Sequence, residues 1–367
     1  MPADLPFPPA PVPPLDHPFS SSFTSNLPDL LQQMRASIAI TTYQANQLVL
    51  VRARNDLVNT HFVSFPRPMG MAQDGGKLFL GTQREVVELR NMPDVGKRRD
   101  DAPDACYLPR VTHTTGEIDI HELGIGNNEL WAVNTRFSCL ATIDYDHSFV
   151  PRWRPSFVSG LSPEDRCHLN GLAMVNRQPK YVTALGECDH ARGWRDNKAS
   201  GGILMDVDTQ QVLVRGLCMP HSPRWYREQL WFLESGRGAL CTLNAKTGEK
   251  KTIAIMPGFT RGLDFFGPLA FVGLSQVRET AAFSDIPVTQ SDAERRSGMY
   301  VINIETGQAV AFLRFNQEVQ EVFSVSVLVG QLWPDVLAAS DEMVGTAYAL
   351  PDDALKDVRA APEKLVG

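Results

Sequence analysis

The sequence predicts an all-β chain, a six-bladed β-propeller closed by N-terminal strands and carrying one short N-terminal helix. Three observations predict it. First, six segments repeat one pattern: an apolar stretch, a turn with Gly, Asn, Asp or a charge, then an apolar-aromatic stretch. They are "PMGMAQDGGKLFLGT" from Pro68, "HELGIGNNELWAVNT" from His121, "NGLAMVNRQPKYVTAL" from Asn170, "HSPRWYREQLWFLES" from His221, "RGLDFFGPLAFVGLS" from Arg261 and "FSVSVLVGQLWPDVL" from Phe323. Their starts lie 53, 49, 51, 40 and 62 residues apart, close to the roughly 40–50 residues of known blades. Second, five of the six are followed by a further hairpin, among them "GGILMDVDTQQVLVRGL", "GALCTLNAKTGEKKTIAIM" and "GMYVINIETGQAVAFLRF", whose "DTQ", "KTGE" and "ETGQ" turns suit outer strands. Third, the last segment lacks such a hairpin, while "SIAITTYQANQLVLVRAR" stands spare near the N-terminus.

Taken in order, residues 1–20 form a proline-rich leader, "MPADLPFPPAPVPPLDHPFS", expected to be disordered or polyproline-like. It has neither the basic start nor the apolar run of a signal peptide. "SNLPDLLQQMRA" carries a cap-like Ser and Asp and reads as the short helix. Residues 38–54 should pair with strands around 323–337, since otherwise both ends of the sheet ring would stay open. Residues 21–350 are thus expected to be one propeller domain, with 351–367 as a C-terminal tail.

Composition limits the function. Lys and Arg number 35 against 42 Asp and Glu, for a net charge of −7, and no basic run offers a footprint for nucleic acid or acidic lipid. No apolar stretch approaches the ~18 residues of a membrane span. The six cysteines (106, 139, 167, 188, 218 and 241) are scattered without metal-site spacing, as expected of free thiols in the cytoplasm.

Blade geometry gathers the six strand starts at one mouth of a central channel. One aligned layer holds Pro68, His121, Asn170, His221, Arg261 and Phe323. Two residues earlier stand Pro66, Asp119, His168, Met219, Phe259 and Glu321, and two later Gly70, Leu123, Leu172, Pro223, Leu263 and Val325. Strict alternation makes the upper layers polar and the lower one an apolar plug. Returning loops add Arg84, Arg136, Arg192, Arg195, Arg237 and Arg278, a guanidinium set suited to carboxylate or phosphate. The bland counterpart is that these arginines brace blades through Glu187, Asp189, Glu234 and Glu279. Likewise, each histidine alone is better explained by a structural hydrogen bond, and only three from different blades pointing at one axis favour function. A thiol nucleophile at Cys167 or Cys188 is the less common use of a buried cysteine, and Trp131, Trp231 and Trp333 share a repeat position expected to be inter-blade core.

"DRCHLNGLAM", "GGILMDV", "MPHSPRW", "PGFTRGLDF" and "AFVGLSQVRET" resemble a family of bacterial conserved hypothetical proteins, a domain of unknown function, over nearly the whole chain after the leader. Ser324 departs from the acidic residue expected there, which weakens a ligand role for the sixth blade. The fold more distantly resembles six-bladed gluconolactonase and strictosidine-synthase-like propellers. Lactonases of that kind hold a divalent metal with Glu, Asn and Asp; Asn170 fits that chemistry, whereas His121, His221 and Arg261 do not.

Two functions follow as expectations. The first is an enzyme acting on an anionic small molecule or peptide, with His121, His168 and His221 as catalytic groups. They serve either as acid/base residues or as ligands of a divalent transition metal beside a carboxylate such as Asp119 or Glu321. Asn170, Arg261, Arg136, Arg237 and Arg278 would hold the ligand. The second is a non-catalytic module that binds a peptide or small anion at the same mouth.

Overall fold

The computed structural model describes residues 18–277, 286–290 and 295–358. Six sheets stand around one axis, which makes the fold a six-bladed β-propeller. Their inner strands are Met71–Asp74, Ile120–Gly126, Leu169–Val175, Pro220–Tyr226, Phe259–Phe266 and Ser324–Val329. Each packs on the next, and the sixth returns to the first. Blades are numbered in that order.

Local sequence explains the hairpins. The first turn of blade 1 is Gly75-Gly76 and that of blade 2 is Asn127-Asn128, with all four residues at positive φ. This is the two-residue turn that matches the twist of the strands it joins. Blades 3 and 4 build the same turn from Asn176-Arg177 and Arg227-Glu228, also at positive φ. Farther out, Asn244 and Asn303 side chains accept backbone N–H groups of the "KTG" and "ETG" turns, as Asx-turns do.

Blade 6 closes the ring. Its inner strand Ser324–Val329 pairs antiparallel with Ala36–Thr42, which pairs with Gln47–Arg54 and then with Leu57–Ser64. The expected partnership of chain start and chain end is therefore present, with a third N-terminal strand that the repeat pattern did not predict. Two further additions extend the seal. Ser21–Phe23 adds to the outer edge of blade 5, and Pro334–Val336 adds parallel to Ala105–Tyr107 at the edge of blade 1. Helix Leu27–Met34 buries Leu27, Leu31 and Met34 against blades 5 and 6. It starts at Asn26 without a side-chain cap, so the expected Ser cap is not used.

Two expectations need correction. Trp131 and Trp231 are inter-blade core, packed with Leu169 and with Leu263 respectively. Trp333 is not their equivalent. The chain leaves blade 6 after Val329, and Trp333 instead lies between the Arg52 and Arg54 guanidinium groups, each 4.3 Å from its ring. Next to it, buried Asp335 meets His61 of blade 6 at 2.9 Å and Arg99 of blade 1 at 2.8 Å, and Arg52 donates to the Pro334 carbonyl.

The second correction concerns the layer beneath the mouth. First-hairpin pairing slips by one residue near the top of blades 2, 3, 4 and 5, and each slip is a β-bulge that resets which face later residues point to. Leu123, Leu172 and Leu263 therefore turn away from the axis into the cores between blades, where Val325 of the unslipped blade 6 also packs. The axis instead carries charge. Arg224 of blade 4 makes a two-pronged ion pair with Glu122 of blade 2, at 2.8 and 3.1 Å. With blade 3 between them, the pair must reach across the channel. Asp264 of blade 5 adds its charge beside them. Inner strands approach closely here: a Cβ on Gly171 would stand 2.3 Å from Pro223 Cδ. Gly262, at φ 81°, would bring one within 2.8 Å of the Val325 nitrogen.

Candidate functional site

Above the charged layer the channel opens as a cavity of about 530 Å³. Asp119, His168 and Met219, the matching residues just before three inner strands, all have left-handed φ near 50°. Asp and His tolerate this region better than most residues, and the cost is of order 1–3 kcal/mol each. The repeated turn sends all three side chains into the cavity wall. Tyr43, Met69, Phe259 and Phe323 supply apolar surface, and the loops around blade 3 add Glu164, Asp165, Arg192, Trp194 and Arg195.

His121 and His221 are held identically. Nδ1 of His121 lies 3.1 Å from the Asp119 carbonyl and 2.9 Å from the Thr135 hydroxyl. Nδ1 of His221 lies 3.0 Å from both the Met219 carbonyl and the Ser235 hydroxyl. A carbonyl only accepts, so Nδ1 carries the proton in both rings. Thr135 donates its own proton to the Leu169 carbonyl at 2.6 Å, consistent with accepting from His121. Burial, reinforced by the Arg261 charge and by His168, holds both imidazoles well below the usual histidine range. Each therefore presents a neutral Nε2 lone pair, and among the described residues neither Nε2 has a protein hydrogen-bond partner.

Arg261 stacks on Phe323, 3.5 Å from the ring centroid. Burial lowers it to about 10, against the pull of Glu321 and Glu122, so it remains charged at neutral pH. Among the described residues no carboxylate lies within 4.0 Å of its guanidinium and none accepts a hydrogen bond from it. His168 sits edge-on to His121, with ring centroids 4.8 Å apart, and against Trp194 at 4.5 Å. Its Nδ1 is 2.8 Å from Asp165 Oδ1, and Asp165 Oδ2 accepts from the Trp194 indole at 2.9 Å. A carboxylate held from behind thus fixes the ring.

The structure brings His121, His168, His221, Arg261 and Arg136 to one cavity, the last 3.5 Å from Asp119. It leaves others out. Asn170 is buried in the blade 3 wall, where it accepts from Thr183 at 2.7 Å. Arg237 pairs with buried Glu234 at 2.9 Å and does not line the cavity. Arg84 pairs with Glu117, a carboxylate outside the set named for bracing, and Arg278 lies outside the described residues. Among the described residues no three His, Cys, Asp or Glu side chains are grouped to hold a metal ion, so the three histidines share a wall without forming a coordination set. Burial pushes the Cys167 thiol up to about 12 and Cys188 to about 11, which leaves no thiolate at neutral pH. Sequence reasoning missed Asp165, Trp194, Thr135 and Ser235. A signal for the hydroxyls was present: Thr82, Thr135, Ser235 and Ser275 stand 14 residues after Pro68, His121, His221 and Arg261.

The depressed histidines predict a pH dependence of stability. Below about pH 6.5 the unfolded chain binds protons that folded His121 and His221 refuse, so their contribution is present above that pH and is lost as pH falls. Each can cost up to ~1.4 kcal/mol per pH unit. Urea unfolding from pH 8 to pH 5 should show stability falling more shallowly for His221→Gln than for the natural chain. Parallel profiles would mean that His221 is not held neutral.

Comparison with known proteins adds the fold and the family. One solved chain, from the crystal structure of a nidogen/laminin complex, is 8% identical. It aligns over 81% of this chain and 99% of its own, with a TM-score of 0.53. That likeness speaks to the propeller alone. No curated protein matches. No helix among the described residues is long and apolar enough to cross a membrane. The family described as Domain of unknown function (DUF4915) matches residues 25–337, the span from the N-terminal helix to the strand that seals blade 1, and the chain belongs to that family.

Proposed function

We propose that the central cavity binds a small anionic molecule, or the carboxylate end of a peptide, with Arg261 as its anchor. One observation carries this reading: a charged guanidinium set among His121, His221 and Phe323, on which Glu321 and Glu122 act but to which no carboxylate among the described residues comes within 4.0 Å. Burying such a charge is costly unless something pairs with it, and a ligand carboxylate or phosphate completes the forked geometry. The cavity volume is that of ordinary small-molecule sites. The six free cysteines, none in a disulfide, support a reducing, cytoplasmic setting.

Calorimetry with carboxylates and phosphate esters tests the anchor. Arg261→Ala should cost roughly 1.5–3 kcal/mol of binding, the value of a hydrogen bond to a charged group. Arg215→Ala should cost little, because Arg215 is tied to Glu187 at 2.7 Å away from the cavity. Equal affinities for the natural chain and Arg261→Ala would overturn the reading. A second reading, catalysis, is favoured by the Asp165–His168 pair, since an imidazole oriented by a carboxylate is the arrangement of a general base. Ligands that bind but are recovered unchanged after long incubation would count against it.

A further inference from the structure

The two neutral imidazoles set a second requirement on the ligand beyond its charge, one that rests on the anionic-ligand reading above. His121 and His221 come from different blades, yet each directs its Nδ1 proton to a backbone carbonyl two residues earlier and a hydroxyl 14 residues later. The carbonyl, which only accepts, fixes the tautomer in both rings, and in His121 the donation of Thr135 to the Leu169 carbonyl agrees with it, so both Nε2 atoms can only accept. Around them the cavity offers further acceptors in Asp119, Asp165 and Glu321. A ligand presenting acceptors alone would satisfy Arg261 and then set its lone pairs against two imidazole lone pairs.

We propose that the ligand is a carboxylate that also carries a hydrogen-bond donor, a hydroxyl or an ammonium group, read by Nε2 of His121 and His221. Its body is apolar enough to lie against Tyr43, Phe259, Phe323 and Trp194. The carboxylate takes Arg261 and the donor takes the imidazoles. A site with buried acceptors rejects an analogue lacking the donor, because the acceptors are then left dry and unpaired. Protonating the histidines would reverse their role, and their burial beside Arg261 opposes that across neutral pH.

Three matched pairs of acids test this by calorimetry at pH 7.5: lactate and propionate, phenyllactate and 3-phenylpropionate, citrate and tricarballylate. The hydroxy acid of at least one pair should bind ten-fold or more tighter than its deoxy partner. His221→Phe should shrink that ratio several-fold, and His221→Gln, which restores an acceptor, should recover part of it. Should His221→Phe fail to fold, nitrogen NMR of the natural chain still decides the matter. Both Nε2 resonances should move on adding the hydroxy acid and stay in place with the deoxy acid. Pairs that bind equally, or that leave the Nε2 resonances still, overturn the donor assignment while the Arg261 anchor stands. If no acid binds to the natural chain, the anchor itself fails and the donor assignment falls with it.

Discussion

A chain beginning at residue 56 is expected to lose its cooperative fold, whereas one beginning at Pro18 should melt as the full chain does. Residues 18–55 include the helix Leu27–Met34 and two of the four strands of blade 6, Ala36–Thr42 and Gln47–Arg54. Their side chains are central to two cores. Leu27, Leu31, Ile38, Ile40, Val49 and Val51 belong to the core shared with blade 5, and Ala39, Leu48 and Leu50 to the one shared with blade 1. At about 1.5–3 kcal/mol for each large buried side chain, their loss matches or exceeds the roughly 5–15 kcal/mol of net stability a domain usually has. The inner strand Ser324–Val329 would also lose its only sheet partner among the described residues and expose its edge to other chains. Thermal unfolding followed by circular dichroism separates the outcomes. A cooperative melt for the chain starting at 56, near that of the full chain, would sink the closure argument.

Arg224→Met should be the most damaging single substitution on the axis, at about 3–5 kcal/mol, because it leaves a buried charge uncompensated. Glu122 is 4% exposed, and burial already raises its carboxyl above the usual range despite Arg224, with Asp264 pushing the same way. Without the guanidinium, two carboxyls would face each other across the channel. Pairing the substitution with Glu122→Gln should recover much of the loss, since a neutral pair costs less to bury than a lone ion. Urea midpoints of the natural chain, both single variants and the double variant give the coupling directly. An Arg224→Met midpoint within error of the natural chain would mean that the ions are hydrated and the channel is open beneath the cavity.

The ring was legible in the sequence because a propeller repeats, and repetition survives even where individual turns vary. Six starts, five outer hairpins and a spare N-terminal hairpin were enough to place the closure. The mouth was legible in part for the same reason. His121, His168, His221 and Arg261 fell in aligned positions, and they do share one cavity. The layer below was misread because alternation assumes an unbroken strand. A single extra residue in blades 2 to 5 exchanges faces, so the aligned leucines went to the blade interfaces and Glu122, Arg224 and Asp264 to the axis. The residues that fix the histidines were hidden for another reason. Asp165 and Trp194 lie in the long loops around blade 3, where no periodicity tells which side chains meet. Arg237 was misplaced because a loop arginine is drawn to the nearest carboxylate, here buried Glu234.

The way blade 6 is shared between the two ends of the chain imposes an order of events on synthesis. Strands through Ser64 emerge from the ribosome early, but their inner partner begins at Ser324, 260 residues later (324 − 64). At about 5–20 residues per second, that is a wait of roughly 13–52 s. During it, the edge of Ala36–Thr42 that later receives Ser324–Val329 stays open to other chains, and so does the apolar face of each finished blade that awaits its neighbour. Nascent chains on neighbouring ribosomes could then exchange their N-terminal strands, so crowded synthesis favours strand-swapped dimers that dilute refolding from urea would not produce.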